Sequence, residues 1–162
     1  MVDFDATDQD QVLWRAVLEA EARFMQARSA FVTGAWDMTN VLTAALEKAT
    51  ERGTALRLIL ALPVRKREVF FDRLVELASV GHADIALVRE SILSLPRDWV
   101  VARIEGVASP ILERGGDEEY RRLLELYALL DAHLAHRLAE MAMKHDDEDV
   151  REAGQDFEAK MG

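Results

Sequence analysis

The residue types best suited to chemistry gather near the C-terminal end of the chain. His133, His136 and Glu140 stand at i, i+3 and i+7, which places them on one face of a helical segment. Two imidazoles and a carboxylate are ligands for zinc or iron, so the trio is half of a metal site, and a metal-dependent enzyme is one reading. No second cluster in the sequence completes it. The same helix is expected to bury Leu134, Leu138, Met141 and Ala142, which leaves the histidines on a solvated face; no metal ligand or cofactor is therefore assigned. Paired acids such as Glu118-Glu119 and Asp146-Asp147 fall at helix starts, where carboxylates favour the dipole, and are read as capping charge. Trp14, Trp36 and Trp99 are scattered and read as core or staple residues. The sequence holds no Gly-rich phosphate loop, no Gly-x-Ser-x-Gly and no His-Glu-x-x-His. Without cysteine it has no thiol nucleophile, thiolate ligand or disulfide.

These residues need a scaffold, and the composition says which kind. The chain has 162 residues, of which 50% are hydrophobic and 31% charged, enough for one packed domain and unlike a disordered chain. The 8 Gly and 3 Pro are too few for the turns of an all-β fold. A formal charge of −10 repels phosphate backbones and anionic lipid, so nucleic acid and membrane surfaces are poor partners. The acidity serves solubility or recognition of a basic protein. Met1-Val2-Asp3-Phe4-Asp5 is acidic and has no apolar core, so no signal peptide is expected. The longest apolar run, Leu58 to Leu62, is too short to span a bilayer. A cytoplasmic protein is expected. The preference for Arg over Lys, with abundant Ala and Leu, suggests a GC-rich bacterial gene.

Periodicity predicts helices throughout. The first begins after Thr7 or Asp8, and Gly34 ends it in a left-handed conformation. It carries Leu13, Val17, Ala20, Phe24, Ala27 and Phe31, widened by Trp14, Leu18, Met25 and Val32. A face that broad is buried, either against its own domain or in a dimer seam. Asp37, Thr39 or Asn40 caps a second helix that runs to Gly53. A third spans Thr54 to Leu62, before Pro63. A fourth runs from Val64 to Val80 and a fifth from Ala83 to Leu95. The sixth, from Trp99 to Glu113, should be kinked or split by Pro110. Gly115-Gly116 is a break, and Asp117 opens a seventh helix to Leu130, with Tyr120 where a capping box needs Glu. The eighth runs from Ala132 to His145 and the ninth from Asp147 to Lys160. Trp99-Val100-Val101 favours strand but is too short to pair.

Short helices joined by tight turns call for a search for repeats. Leu74-Val75-Glu76-Leu77-Ala78 matches Leu123-Leu124-Glu125-Leu126-Tyr127-Ala128 at an offset of roughly 49 residues. Ile85 then meets Leu134, Ile92 meets Met141, Asp98 meets Asp147 and Val101 meets Val150. Leu60-Ala61-Leu62-Pro63 is echoed by Leu93-Ser94-Leu95-Pro96. The stretch His145-Asp146-Asp147-Glu148-Asp149-Val150-Arg151-Glu152-Ala153-Gly154 resembles the turn of a HEAT repeat, an acidic turn followed by Val-Arg and small residues. Asp147 or Asp149 can cap the helix. Val150 points into the core, and Ala153 and Gly154 admit a close neighbour. Arg151 can reach acidic groups on an adjoining repeat. The turns at Pro96 and Pro63 depart from the pattern, with Ala102 in place of Arg and no acidic cap respectively.

The resemblance covers residues 54–160 and implies an all-α fold. About nine short helices form HEAT-like antiparallel hairpins stacked as a small right-handed α-solenoid, with residues 1–53 as N-terminal capping helices of the same domain. An irregular helical bundle is the alternative. The function expected is a non-catalytic scaffold that binds another protein on its concave face. The candidate contact residues are Asp84, Glu90, His133, His136, Arg137, Glu140 and Lys144. A metal-dependent enzyme built on His133, His136 and Glu140 is one alternative. An immunity-type inhibitor of a basic toxin or nuclease is another. A homodimer through the first helix is compatible with each.

Overall fold

A computed structural model of the chain describes residues 8–161. It is all-α, with no strand among the described residues. The helices are α1 (Asp8–Gly34), α2 (Met38–Leu46), α3 (Ala49–Leu60), α4 (Val64–Arg67), α5 (Phe71–Ala78), α6 (Ile85–Leu93), α7 (Arg97–Arg114), α8 (Asp117–Leu130), α9 (Ala132–Met143) and α10 (Glu148–Met161); a 3-10 turn, Glu68–Phe70, joins α4 to α5. The described residues fall into two compact units, 8–41 and 42–161.

The first unit holds α1 and the opening turn of α2. Thr7, one expected cap of α1, lies outside the described residues. Not one residue of α1 is buried, so its apolar face has no core of its own to join. Trp14 and Trp36 are exposed, against the expectation of core residues. The first unit is a long helix and one turn, too little to enclose either ring. Gly34 is the last residue of α1, but no described glycine has a positive φ, so the left-handed ending expected there does not form. The Asp37 carboxylate caps α2, accepting from the Asn40 amide (3.2 Å) and from Asn40 Nδ2 (2.6 Å).

The second unit contains the core. Leu56 and Ile59 of α3, Leu74 of α5, Ile92 of α6, Ile104 of α7, Leu123 and Leu126 of α8, Leu134 of α9 and Val150 of α10 are completely buried. Each such side chain stabilises the fold by roughly 1.5–3 kcal/mol. Helix α6 packs on α3 and α5. Helix α5 also meets α7 and α8, and α8 meets α7, α9 and α10. The most extensive helix contact is between α9 and α10.

Several boundaries differ from those read in the sequence. Helix α2 stops at Leu46, and Gly53 lies inside α3; Lys48 between them is extended (φ −100°, ψ 118°). No Gly or Pro marks this break. Arg52 makes it possible by donating from Nε to the freed Leu46 carbonyl (2.7 Å). The segment expected as one helix from Val64 to Val80 narrows to a 3-10 turn at Glu68–Phe70, which brings Phe70 and Phe71 together into the core. Helix α7 runs through Pro110 as one element. Gly106, whose carbonyl loses its amide donor to that proline, is exposed, so water can replace the missing bond. The cap of α8 is one residue out of the expected register and is half a capping box: the Gly116 amide donates to Glu119 Oε2 (2.7 Å), while Gly116 has no side chain to return the bond. Met141 was expected in the core but is 51% exposed; Ala135 and Ala139 are buried on α9 instead.

The turn before α10 follows the sequence reading closely. Asp147 Oδ1 accepts from the Asp149 amide (2.9 Å), and Val150 and Ala153 are buried. A Cβ on Gly154 would lie 2.8 Å from the Ala139 carbonyl oxygen, so only glycine admits α9 this closely. Arg151 is the exception. Its Nη1 donates to the carbonyls of His145 (2.9 Å) and Asp146 (2.7 Å), closing its own turn instead of reaching a neighbouring acid.

Candidate functional site

A cleft of about 620 Å³ opens in the second unit between α7, α8 and α9. Helix α7 presents Glu105, Ser109, Leu112 and Glu113, whose spacing keeps them on one side. Helix α8 presents Tyr120 and Tyr127, two full turns apart on the same face. Helix α9 adds Leu138 and Met141, and the turn after it adds Lys144, His145 and Asp146.

The floor is apolar and fixed. Tyr120 and Tyr127 are buried, as are Leu112 and Leu138. The His145 ring meets Tyr120 edge-on, with centroids 5.5 Å apart. Burial pushes the hydroxyl pKa values of both tyrosines upward, and for Tyr127 the nearby Glu105 adds to the effect. Both phenols are therefore neutral at physiological pH and are not bases. The rim is polar and adaptable. Glu105 accepts from Arg137 Nε (3.0 Å), which holds the Arg137 guanidinium pKa above its ordinary value. Glu113 accepts from Ser109 Oγ (3.1 Å). The Asp146 carboxylate has no ion-pair partner among the described residues. Met141 stands half-exposed on the rim, a flexible and polarisable side chain that can conform to a bound group.

Of the residues singled out in the sequence, Lys144 lines this cleft and Arg137 is tied to its edge. His133 is exposed at the start of α9, and its backbone amide is held by Asp131 (2.9 Å). His136 points to α10, with Nδ1 2.8 Å from Glu158 Oε1. Glu140 is exposed on α9. The trio that suggested a metal does not converge: among the described residues no three His, Asp or Glu side chains are placed to hold an ion. Asp84 and Glu90 flank and occupy α6, which contributes nothing to the cleft. Sequence reasoning missed Tyr120 and Tyr127 as a pair. They are the only tyrosines in the chain, seven residues apart on one helix, and that spacing was the available signal. The α7 residues carry no such mark.

No protein-family model matches the chain, and neither a curated protein nor a solved structure matches it.

Proposed function

We propose that this protein is a non-catalytic binding module, a scaffold of HEAT-like helical hairpins that captures a basic segment of another protein in the α7–α8–α9 cleft. The observation that carries this reading is an apolar floor of tyrosine and leucine beneath a rim with three carboxylates, Glu105 (paired with Arg137), Glu113 and Asp146, against one lysine, Lys144. A cleft of this volume accepts one or two large side chains. The rim carboxylates and the formal charge of −10 favour Lys or Arg beside such an anchor and speed the encounter. An immunity-type inhibitor of a basic toxin or nuclease is the form this function takes if the partner is an enzyme. A cytoplasmic setting belongs to the same proposal.

Selection from a displayed random-peptide library tests it. Peptides with an aromatic or aliphatic residue flanked by Lys or Arg should be enriched. Their affinity should fall at least tenfold for the Glu113→Lys/Asp146→Lys double variant and for Met141→Glu, and should weaken as salt is raised. Enrichment of acidic peptides, or binding indifferent to these substitutions, would reject the cleft as the binding site.

A further inference from the structure

Helix α1 presents an apolar face that its own unit leaves uncovered. Leu13 is 58% exposed, Trp14 61% and Val17 54%, with Leu18, Phe24 and Met25 also open and Phe31 and Val32 half-covered. The pairs Val17/Leu18, Phe24/Met25 and Phe31/Val32 recur every seven residues, so they line one side of the helix. Midway between consecutive pairs, on the same side, stand Glu21 and Arg28. A helix that merely faced water would carry its charges on the opposite side. Here two opposite charges sit within the apolar stripe, and neither makes an ion pair among the described residues.

The order of residues along this stripe is its own complement when reversed. Turn a second copy of α1 antiparallel about the midpoint between Phe24 and Met25. Phe24 then meets the partner's Met25, Leu18 meets the partner's Phe31, and Val17 meets the partner's Val32. Glu21 falls opposite the partner's Arg28, and by symmetry Arg28 falls opposite the partner's Glu21. Every unsatisfied charge gains an opposite one, twice per dimer. The parallel arrangement sets Glu21 against Glu21 and Arg28 against Arg28 inside an apolar seam, which is repulsive. Area points the same way. Of the roughly 150–250 Å² that an aromatic side chain can bury, Trp14 keeps 61% and Phe24 43% open to water, and Phe31 less. Added to the open surface of the aliphatic residues of both copies, this comes to the lower end of the range of about 1,200–2,000 Å² typical of a stable interface.

We infer that α1 is a self-association element, pairing antiparallel with α1 of a second copy of this chain through reciprocal Glu21–Arg28 contacts. The inference stands apart from the cleft and its ligand. Sedimentation equilibrium of the full chain should give twice the 18.3 kDa monomer mass at micromolar concentration. Glu21→Arg and Arg28→Glu should each raise the dimer dissociation constant at least tenfold, with helicity checked by circular dichroism. The Glu21→Arg/Arg28→Glu double variant should restore the dimer, because antiparallel pairing keeps opposite charges in register. A monomer at all concentrations overturns the inference and gives the face to another occupant, such as a different protein or a lipid surface. A dimer indifferent to the single variants, or single-variant losses that the double variant does not recover, overturns the reciprocal pairing.

Discussion

Arg151 and Val150 sit side by side on the first turn of α10 and do different work. Val150 is completely buried, while Arg151 closes the preceding turn through two backbone carbonyls. Val150→Asp places a carboxylate among apolar neighbours and should cost about 3 kcal/mol or more. Arg151→Ala leaves two carbonyls to water and should cost about 1–3 kcal/mol. Glu152, exposed beside them, should tolerate Ala within about 0.5 kcal/mol. Chemical denaturation of the three variants checks the order, and a neutral Val150→Asp would mean that α10 is not docked. A second residue-scale prediction concerns acid. The Leu134 amide, then the His133 amide and Arg97, hold the Asp131 carboxyl below its ordinary value of 3.8. A carboxylate of this kind stabilises the fold fully above its unfolded pKa and loses that contribution as pH falls through the lower folded value. Asp131→Ala should therefore melt earlier than the wild type at neutral pH, and the difference should close as pH falls below the ordinary carboxylate value. No gap in the melting curves would mean that the cap carries no weight, and a gap that stays constant with pH would mean that the ionised carboxylate is not what holds it.

At the scale of elements, what could be read in the sequence depended on whether the cause of a feature was local. The turn at residues 145–154 was legible because its cap, its buried valine and its glycine act within a few residues. The break at Glu47–Lys48 was not, because the group that stabilises it is the Arg52 side chain acting on Leu46, with no breaker residue at the site. Nor was the cleft, whose walls come from three helices with only the Tyr120–Tyr127 spacing as a clue. Pro110 was legible as a fault but not in its outcome, since solvent access to Gly106 decides whether a helix survives a missing bond. Pro110→Ala should restore the bond to Gly106 and raise stability by about 1–3 kcal/mol, read as a higher denaturant midpoint. Gly154→Ala tests the opposite case. Its new methyl group would press on the Ala139 carbonyl and on Met143 Cγ, 2.8 and 2.9 Å away, and should cost about 1–3 kcal/mol by forcing α10 off α9. An unchanged midpoint would mean that the two helices are not held this closely.

For the whole molecule, the division at residues 41 and 42 matters most. Amphipathic patterning showed that α1 had to be covered, but periodicity carries no label saying by what. A fragment beginning at Asp37, which retains the cap of α2, should keep the core of the second unit and melt cooperatively, followed by far-ultraviolet circular dichroism. Loss of the transition would mean that the first unit is needed for the second to fold. Within the second unit, the packing joins elements that are close along the chain: α3 to α6, α5 to its next three helices, and α8 to α9 and α10. The arginine bridges repeat this habit, with Arg67 reaching Ser94 (2.7 Å), Arg97 the Leu130 carbonyl (2.9 Å) and Arg121 the Asp156 carboxylate (2.8 Å). That short reach has a kinetic meaning. Little loop-closure entropy must be lost before a contact is gained, so this unit should fold in milliseconds or less, on the order expected for local topologies. It can also assemble in the order of synthesis, each new helix finding its seat already built, as α10 finds α8 and α9.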